Sequence, residues 1–223
     1  GFDDYGGELD LYNFQLAEAQ PKLLHTVKTA TRFGSLAWSQ NLIAGGMTDG
    51  TVFVWDATRL LNGEQEALLC TVKQHSAEVK SVKFSSLQPH MLASGSTDGT
   101  VAITDLSQPS QPSSYKLEAQ SSPVTNLAWN TQVDHIVASS HSDGLVAVWD
   151  LHKKQTWCQM RAEPMSDLIW NPTEGLHLLT ASMDDRNPIM KLWDLRASTS
   201  MPLATISGHQ QGILSVAWCP FDE

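Results

Sequence analysis

Two groups of residues in this chain have the types and spacing to do chemistry. Ser94, His75 and Asp98 supply a hydroxyl, an imidazole and a carboxylate, the set that activates a serine nucleophile. Asp184 and Asp185 stand side by side ahead of Arg186 in "ASMDDRNPIMKLWDLR" (181–196), and paired carboxylates can act as acid and base or hold a cation. Each use demands a setting. A serine hydrolase of the Gly-x-Ser-x-Gly kind needs a strained, exposed elbow running into a helix, and no helical pattern follows Ser94. The acid pair takes its meaning from the elements on either side of it.

Those elements repeat. "LIAGGMTDGTVFVWD" (42–56), "MLASGSTDGTVAITD" (91–105), "IVASSHSDGLVAVWD" (136–150) and "LLTASMDDRNPIMKLWD" (178–194) align with one another. Each follows a short strand-like segment, "SLAW" at 35, "SVKF" at 81, "NLAW" at 126 and "DLIW" at 167, and a fifth such segment, "SVAW", starts at 215. The closing aspartates, Asp56, Asp105, Asp150 and Asp194, fall 49, 45 and 44 residues apart, the period of four-stranded propeller blades. Short runs rich in Val, Ile and Leu read as buried strands. Asp49-Gly50, Asp98-Gly99 and Asp143-Gly144 read as two-residue hairpin turns in which Gly takes the positive φ. Helical periodicity is absent.

These residues resemble WD repeats over nearly the whole chain. The six-residue step from turn Asp to Trp holds in Asp49/Trp55 and Asp143/Trp149, and from Asp98 to Thr104, where the Trp is replaced. "SGHQQGILSVAW" (207–218) carries the Gly-His opening of such a unit. The resemblance implies an all-β propeller of four-stranded antiparallel blades. Residues 1–30 would end one blade, 31–76, 77–121, 122–163 and 164–209 would form four more, and 210–223 would start another. In the first of these, Tyr12-Asn13 stand where Trp-Asp would be. Rings of this family close with seven blades, about 300 residues at about 45 each, so the expectation is a truncated arc of about five blades from a longer protein.

WD repeats also give Ser94, His75 and Asp98 another use. In them a buried chain of hydrogen bonds links a strand Trp, a Ser or Thr, a His and the turn Asp, and so staples loop to strand. The sequence shows no complete set. Thr104 replaces the Trp beside Ser94, while Ser139 and Trp149 have Ser121 and Ser122 where a His is expected. Thr180 and Trp193 lack a His, Trp55 has Gly45 in place of a Ser or Thr, and His209 opens a unit that does not finish. Stability is therefore expected mainly from apolar packing between blades. His141, His152 and His177 read as turn histidines, and without H-x-H or H-E-x-x-H spacing they indicate no metal, nor is a cofactor expected.

Bulk properties narrow the partners. A formal charge of −10 with no basic run opposes direct binding to nucleic acid or an anionic membrane. Cys70, Cys158 and Cys219 are three in number and far apart, which suits a reducing, cytosolic setting. No apolar stretch approaches the roughly 18 residues of a spanning helix, and residue 1 opens no signal-peptide pattern.

"Asp-Asp-Arg-x-Pro" ahead of "Leu-Trp-Asp-Leu-Arg", and "Gly-His-x-x-Gly-Ile-Leu" after Arg196, are similar to the amino-terminal propeller of the larger WD-repeat subunit of the COPII outer coat. That resemblance implies a cytoplasmic, non-enzymatic scaffold, peripheral at endoplasmic reticulum exit sites and on COPII vesicles. Its membrane association would be indirect. Its partners would be the smaller WD-repeat coat subunit, bound through regions beyond this chain, and other copies of itself at cage vertices. Asp184 to Trp193 spans nine residues instead of six, so the turn has gained three, and Asp184, Asp185, Arg186 and Asn187 become a candidate interaction loop. Two alternatives stay open. One is an adaptor of the chromatin or peroxisomal-import kind with a peptide pocket on the propeller face; the other is a propeller hydrolase using Asp184 and Asp185 or Ser94.

Overall fold

The computed structural model describes residues 6–13, 20–64 and 66–219. Parts of the segments expected at 1–30 and 210–223 lie outside these residues. β1 (Gly7–Asn13) pairs antiparallel with β2 (Lys22–Thr29). Four antiparallel four-stranded meanders follow. The first holds β3 (Phe33–Ser39), β4 (Leu42–Met47), β5 (Thr51–Asp56) and β6 (Leu68–Lys73). The second holds β7 (Val79–Phe84), β8 (Met91–Ser96), β9 (Val101–Asp105) and β10 (Ser113–Lys116). In the third are β11 (Val124–Trp129), β12 (Ile136–His141), β13 (Leu145–Asp150) and β14 (Gln155–Arg161). The fourth contains β15 (Met165–Trp170), β16 (His177–Ser182), β17 (Met190–Asp194) and β18 (Ala204–Ile206).

The first strands β3, β7, β11 and β15 neighbour one another in that order, so the sheets fan into an open arc of propeller blades. The sheets inside the arc are covered on both faces, which is why their second strands are continuous buried runs; every residue of β12 is buried. Apolar layers fill the gaps. Val79 and Val82 pack on Ala44, Val52 and Val54; Val124, Leu127 and Trp149 pack with Ala93 and Ile103; Met165, Leu168 and Trp193 pack with Ala138, Val146 and Val148. In the β8–β9 hairpin Gly99 sits at φ +81°, where a side chain would also meet the Gln120 carbonyl oxygen at 2.4 Å.

One short element was not foreseen, and one sequence expectation needs correction. A five-residue helix, α1 (Ala57–Leu61), interrupts the all-strand pattern; the Asp56 side chain caps it by accepting from the Arg59 N–H, and Ala57 and Leu60 are buried under it. It is too short to show a helical period. The "SVAW" segment at 215 is not a strand, and no ladder forms over residues 211–219. Blades meet face to face, so this segment lies beside β15 without pairing to it, and the strand that would pair with it is absent among the described residues.

Candidate functional site

His75, Ser94 and Asp98 do come together. His75 Nε2 is 2.8 Å from Ser94 Oγ, while Nδ1 is 2.9 Å from Thr100 Oγ1, which donates to Asp98 Oδ1 at 2.6 Å. Since the Thr100 proton goes to the carboxylate, His75 Nδ1 must be the donor, and Ser94 donates to Nε2. Nucleophile chemistry is closed off by position: Ser94 is 3% exposed in the middle of β8 between two sheets. Asp98 has a second duty, accepting from the Ser76 N–H at 2.9 Å and Ser76 Oγ at 3.2 Å. Partial burial raises its pKa. Hydrogen bonds from Thr100 and the Ser76 and Thr100 N–H groups, with the nearby His75, outweigh that and hold it well below the usual carboxylate range. Burial depresses His75. Thr104, at the Trp position, turns to Ser114 Oγ at 3.0 Å instead.

The third sheet rebuilds the chain with a histidine that the sequence reading placed in a turn. His141 ends β12 and is wholly buried. Trp149 Nε1 donates to Ser139 Oγ at 2.9 Å, Ser139 Oγ meets His141 Nε2 at 3.0 Å, and His141 Nδ1 meets the Ser122 carbonyl oxygen at 3.0 Å. Ser122 Oγ then donates to Asp143 at 2.7 Å. This unit therefore has its full polar chain, with the imidazole supplied from the strand rather than from the preceding loop. Burial lowers the His141 pKa, outweighing the Ser122 carbonyl and the Asp143 charge, which raise it.

Elsewhere the staple is shortened or replaced. Trp193 Nε1 donates to Thr180 Oγ1 at 3.1 Å, and Thr180 Oγ1 turns to the Lys191 carbonyl oxygen of the partner strand at 3.4 Å instead of to a histidine. Trp55 packs instead between Phe33 and Phe53, with ring centroids 6.0 and 5.6 Å away. A Cβ on Gly45 would stand 2.7 Å from Phe33 and 3.0 Å from Trp55, so the missing Ser or Thr is excluded by the aromatics that took its place. Asp49 accepts from the Thr51 N–H at 3.0 Å. Asp105, Asp150 and Asp194 each accept from the backbone N–H two residues on. His209 is exposed.

The acid pair divides its work. Asp184 Oδ1 accepts from the Arg186 N–H at 2.9 Å, as the other turn aspartates do, while Asp185 Oδ1 accepts from the Gly212 N–H at 2.8 Å. One residue shapes the turn and the other ties it to the start of the next unit. Asn187 reaches Glu163 at 3.4 Å, and Lys191 pairs with the same carboxylate at 2.8 Å. Met183 and Arg186 are the exposed large side chains of the loop.

A further polar line runs along the inner wall. A register shift near the start of each first strand re-aims the following side chain: Ser35, Ser81, Asn126 and Asp167. Ser35 Oγ accepts from the Val82 N–H, Ser81 Oγ donates to Asn126 Oδ1 at 3.1 Å, and Asn126 Nδ2 donates to Asp167 Oδ1 at 2.7 Å. Asp167 Oδ2 accepts from Ser215 Oγ at 3.0 Å and the Val216 N–H at 3.2 Å. Its signal was the polar residue that begins every "SLAW"-like segment. Nearby, Trp129 Nε1 donates to the Lys83 carbonyl oxygen and Trp170 Nε1 to that of Ala128, so each tryptophan hooks the preceding blade.

Comparison with known proteins agrees with this architecture. The family model for the nucleolar protein 10-like, N-terminal domain, a β-propeller, matches residues 6–190, and that for the WD domain, G-beta repeat, matches 200–223. The chain is 34% identical to protein transport protein SEC31 of Dictyostelium discoideum over 98% of its length, and 38% identical to SEC31 homolog B of Arabidopsis thaliana over 96%. It spans only about a fifth of those relatives, 18% and 21%. A chain in the solved structure "COPII on membranes, outer coat vertex" superposes with a TM-score of 0.84 at 29% identity, covering 98% of this chain and 61% of that one.

Proposed function

We propose that this chain, which belongs to the WD-repeat β-propeller family and is homologous to the SEC31 protein transport proteins, is a non-enzymatic assembly module that contributes to COPII cage vertices in transport from the endoplasmic reticulum to the Golgi. The observation that carries this reading is the superposition of nearly the whole chain on a chain of a coat vertex. The site chemistry supports it. Ser94 and His75 are consumed by a buried staple, and Asp184 and Asp185 by a turn and an inter-unit tie. What the surface offers is contact. Its partners are other copies of the chain at the vertices and the smaller WD-repeat coat subunit, bound through regions beyond it. Vertex bonding is weak and multivalent, so that cages both form and dissolve. The loop Asp184–Asn187 takes part by presenting Arg186, with the exposed Met183 just ahead of it, both residue types enriched in interfaces. The setting is cytoplasmic, at exit sites, with the membrane reached indirectly because a chain of charge −10 has little attraction for anionic lipid.

A pull-down from cytosol with the chain in its full-length protein tests this. Recovery of the smaller WD-repeat coat subunit is expected. Histones, nucleolar proteins or peroxisomal cargo in its place would refute the coat reading.

A further inference from the structure

One cluster stands apart from these networks, at the opposite end of the β12–β13 pair from the Asp143 turn. His135 immediately precedes β12 and His152 follows β13, and the pairing of Ile136 with Asp150 sets the two ends beside each other. One nitrogen of each imidazole and one carboxylate oxygen of Asp150 all lie within 4.8 Å of one another. The two rings stack at 4.0 Å with an interplanar angle of 14°. His135 Nδ1 is 3.1 Å from Asp134 Oδ1, and Asp134 is itself held from the neighbouring sheet by Gln88 Nε2 at 2.6 Å. When Nδ1 donates to a carboxylate, Nε2 carries the lone pair, and metal-binding histidines are oriented in this way. Asp150 Oδ1 accepts the His152 and Lys153 N–H groups, whereas Oδ2 faces the ammonium of Lys153, at 3.5 Å on a largely exposed side chain.

We propose that His135, Asp150 and His152 form a binding site for a divalent transition metal of the zinc class, with Asp134 as the positioning carboxylate. Two imidazoles and one carboxylate select zinc, cobalt or nickel over calcium or magnesium, which prefer all-oxygen shells. Three protein ligands leave a fourth position for water. Tetrahedral bonds of about 2.0–2.1 Å draw the ligand atoms to roughly 3.4 Å from each other, and the metal must lie in the plane of each ring. His152 makes that adjustment: it is exposed, whereas His135 is half-buried and pinned by Asp134. The stacked rings splay, Lys153 swings into solvent, and the ion clips the turn after β13 to the loop before β12. No sequence spacing revealed this site because its ligands are joined across a strand pair rather than along one segment.

The test is titration of the chain with cobalt(II), followed by visible absorption and checked by displacement with zinc. One saturable equivalent is expected, with nitrogen and oxygen ligation and no thiolate charge-transfer band. His152→Ala should weaken binding at least about tenfold, Asp134→Asn by about tenfold, and Lys153→Ala should tighten it. Since His152 and Lys153 lie at the surface, their variants should keep the parent urea midpoint, which separates loss of ligand from loss of fold. Absence of saturable binding, equal affinity in His152→Ala, or a thiolate band from Cys70, Cys158 or Cys219 would each overturn the assignment.

Discussion

Ser139→Ala is the sharpest test of the rebuilt polar chain. Ser139, His141 and Trp149 are each wholly buried, and the serine hydroxyl is the joint between Trp149 Nε1 at 2.9 Å and His141 Nε2 at 3.0 Å. Removing it strands two buried nitrogens. A buried polar group left without a partner costs about 1–3 kcal/mol, so the variant should lose about 2–6 kcal/mol, the lost oxygen leaving little cavity to add. Thr180→Val is the control. It keeps the side-chain shape, strands one buried nitrogen, Trp193 Nε1, and gives up the long contact to the Lys191 carbonyl oxygen, so it should cost about 1–3 kcal/mol. Urea unfolding monitored by tryptophan fluorescence gives both values from midpoints at matched slopes. A cycle pairing Ser139→Ala with Trp149→Phe should show a coupling of about 0.5–3 kcal/mol. If Ser139→Ala costs no more than Thr180→Val, His141 gains nothing from the serine and the chain is a chance alignment.

Three further outcomes follow from the same geometry. His75 and His141 are held below the ordinary imidazole pKa by burial, so the unfolded chain binds more protons once the pH falls below about 6.5; stability should be full above that value and decline below it. Urea midpoints at pH 7.5 and 5.5 measure the decline, and His141→Gln should reduce it. Gly45→Ser, which writes in the missing residue of the first unit, should destabilise by about 1–3 kcal/mol because its Cβ meets Phe33 and Trp55; a gain in thermal midpoint would contradict the packing. Asp185→Ala should raise amide exchange at Gly212 and its neighbours while leaving the 183–189 turn protected, and Asp184→Ala should do the reverse.

The propeller was legible because it is periodic. A fixed echo of strands and Asp-Gly turns needs no knowledge of contacts, and the sheets follow it blade by blade. The polar chains were only half legible. His75, Ser94 and Asp98 lie at repeat positions, but His141 reaches the same role from a strand end, where sequence distance to Ser139 is two residues and says nothing of burial. Gly45 read as a lost staple; the aromatic packing that compensates for it comes from Phe33 and Phe53, which no single window connects. "SVAW" at 215 has strand composition yet no ladder, since hydrogen-bond pairing depends on a second segment and not on propensity.

The inner polar line also has a direction. Ser81 hands its proton forward to Asn126, Asn126 hands one forward to Asp167, and Ser215 hands one back to the same carboxylate. Both oxygens of Asp167 accept, so the line has a sink, and the sheets on its two sides are polarised in opposite senses. The repeats are thus alike in backbone but not interchangeable. Exchanging the sheet of β11–β14 for that of β15–β18 would set an acceptor-only group against Ser81 and an amide against Ser215, reversing the order of handover. Along this wall the serial number of each blade is written in which way its hydrogens point.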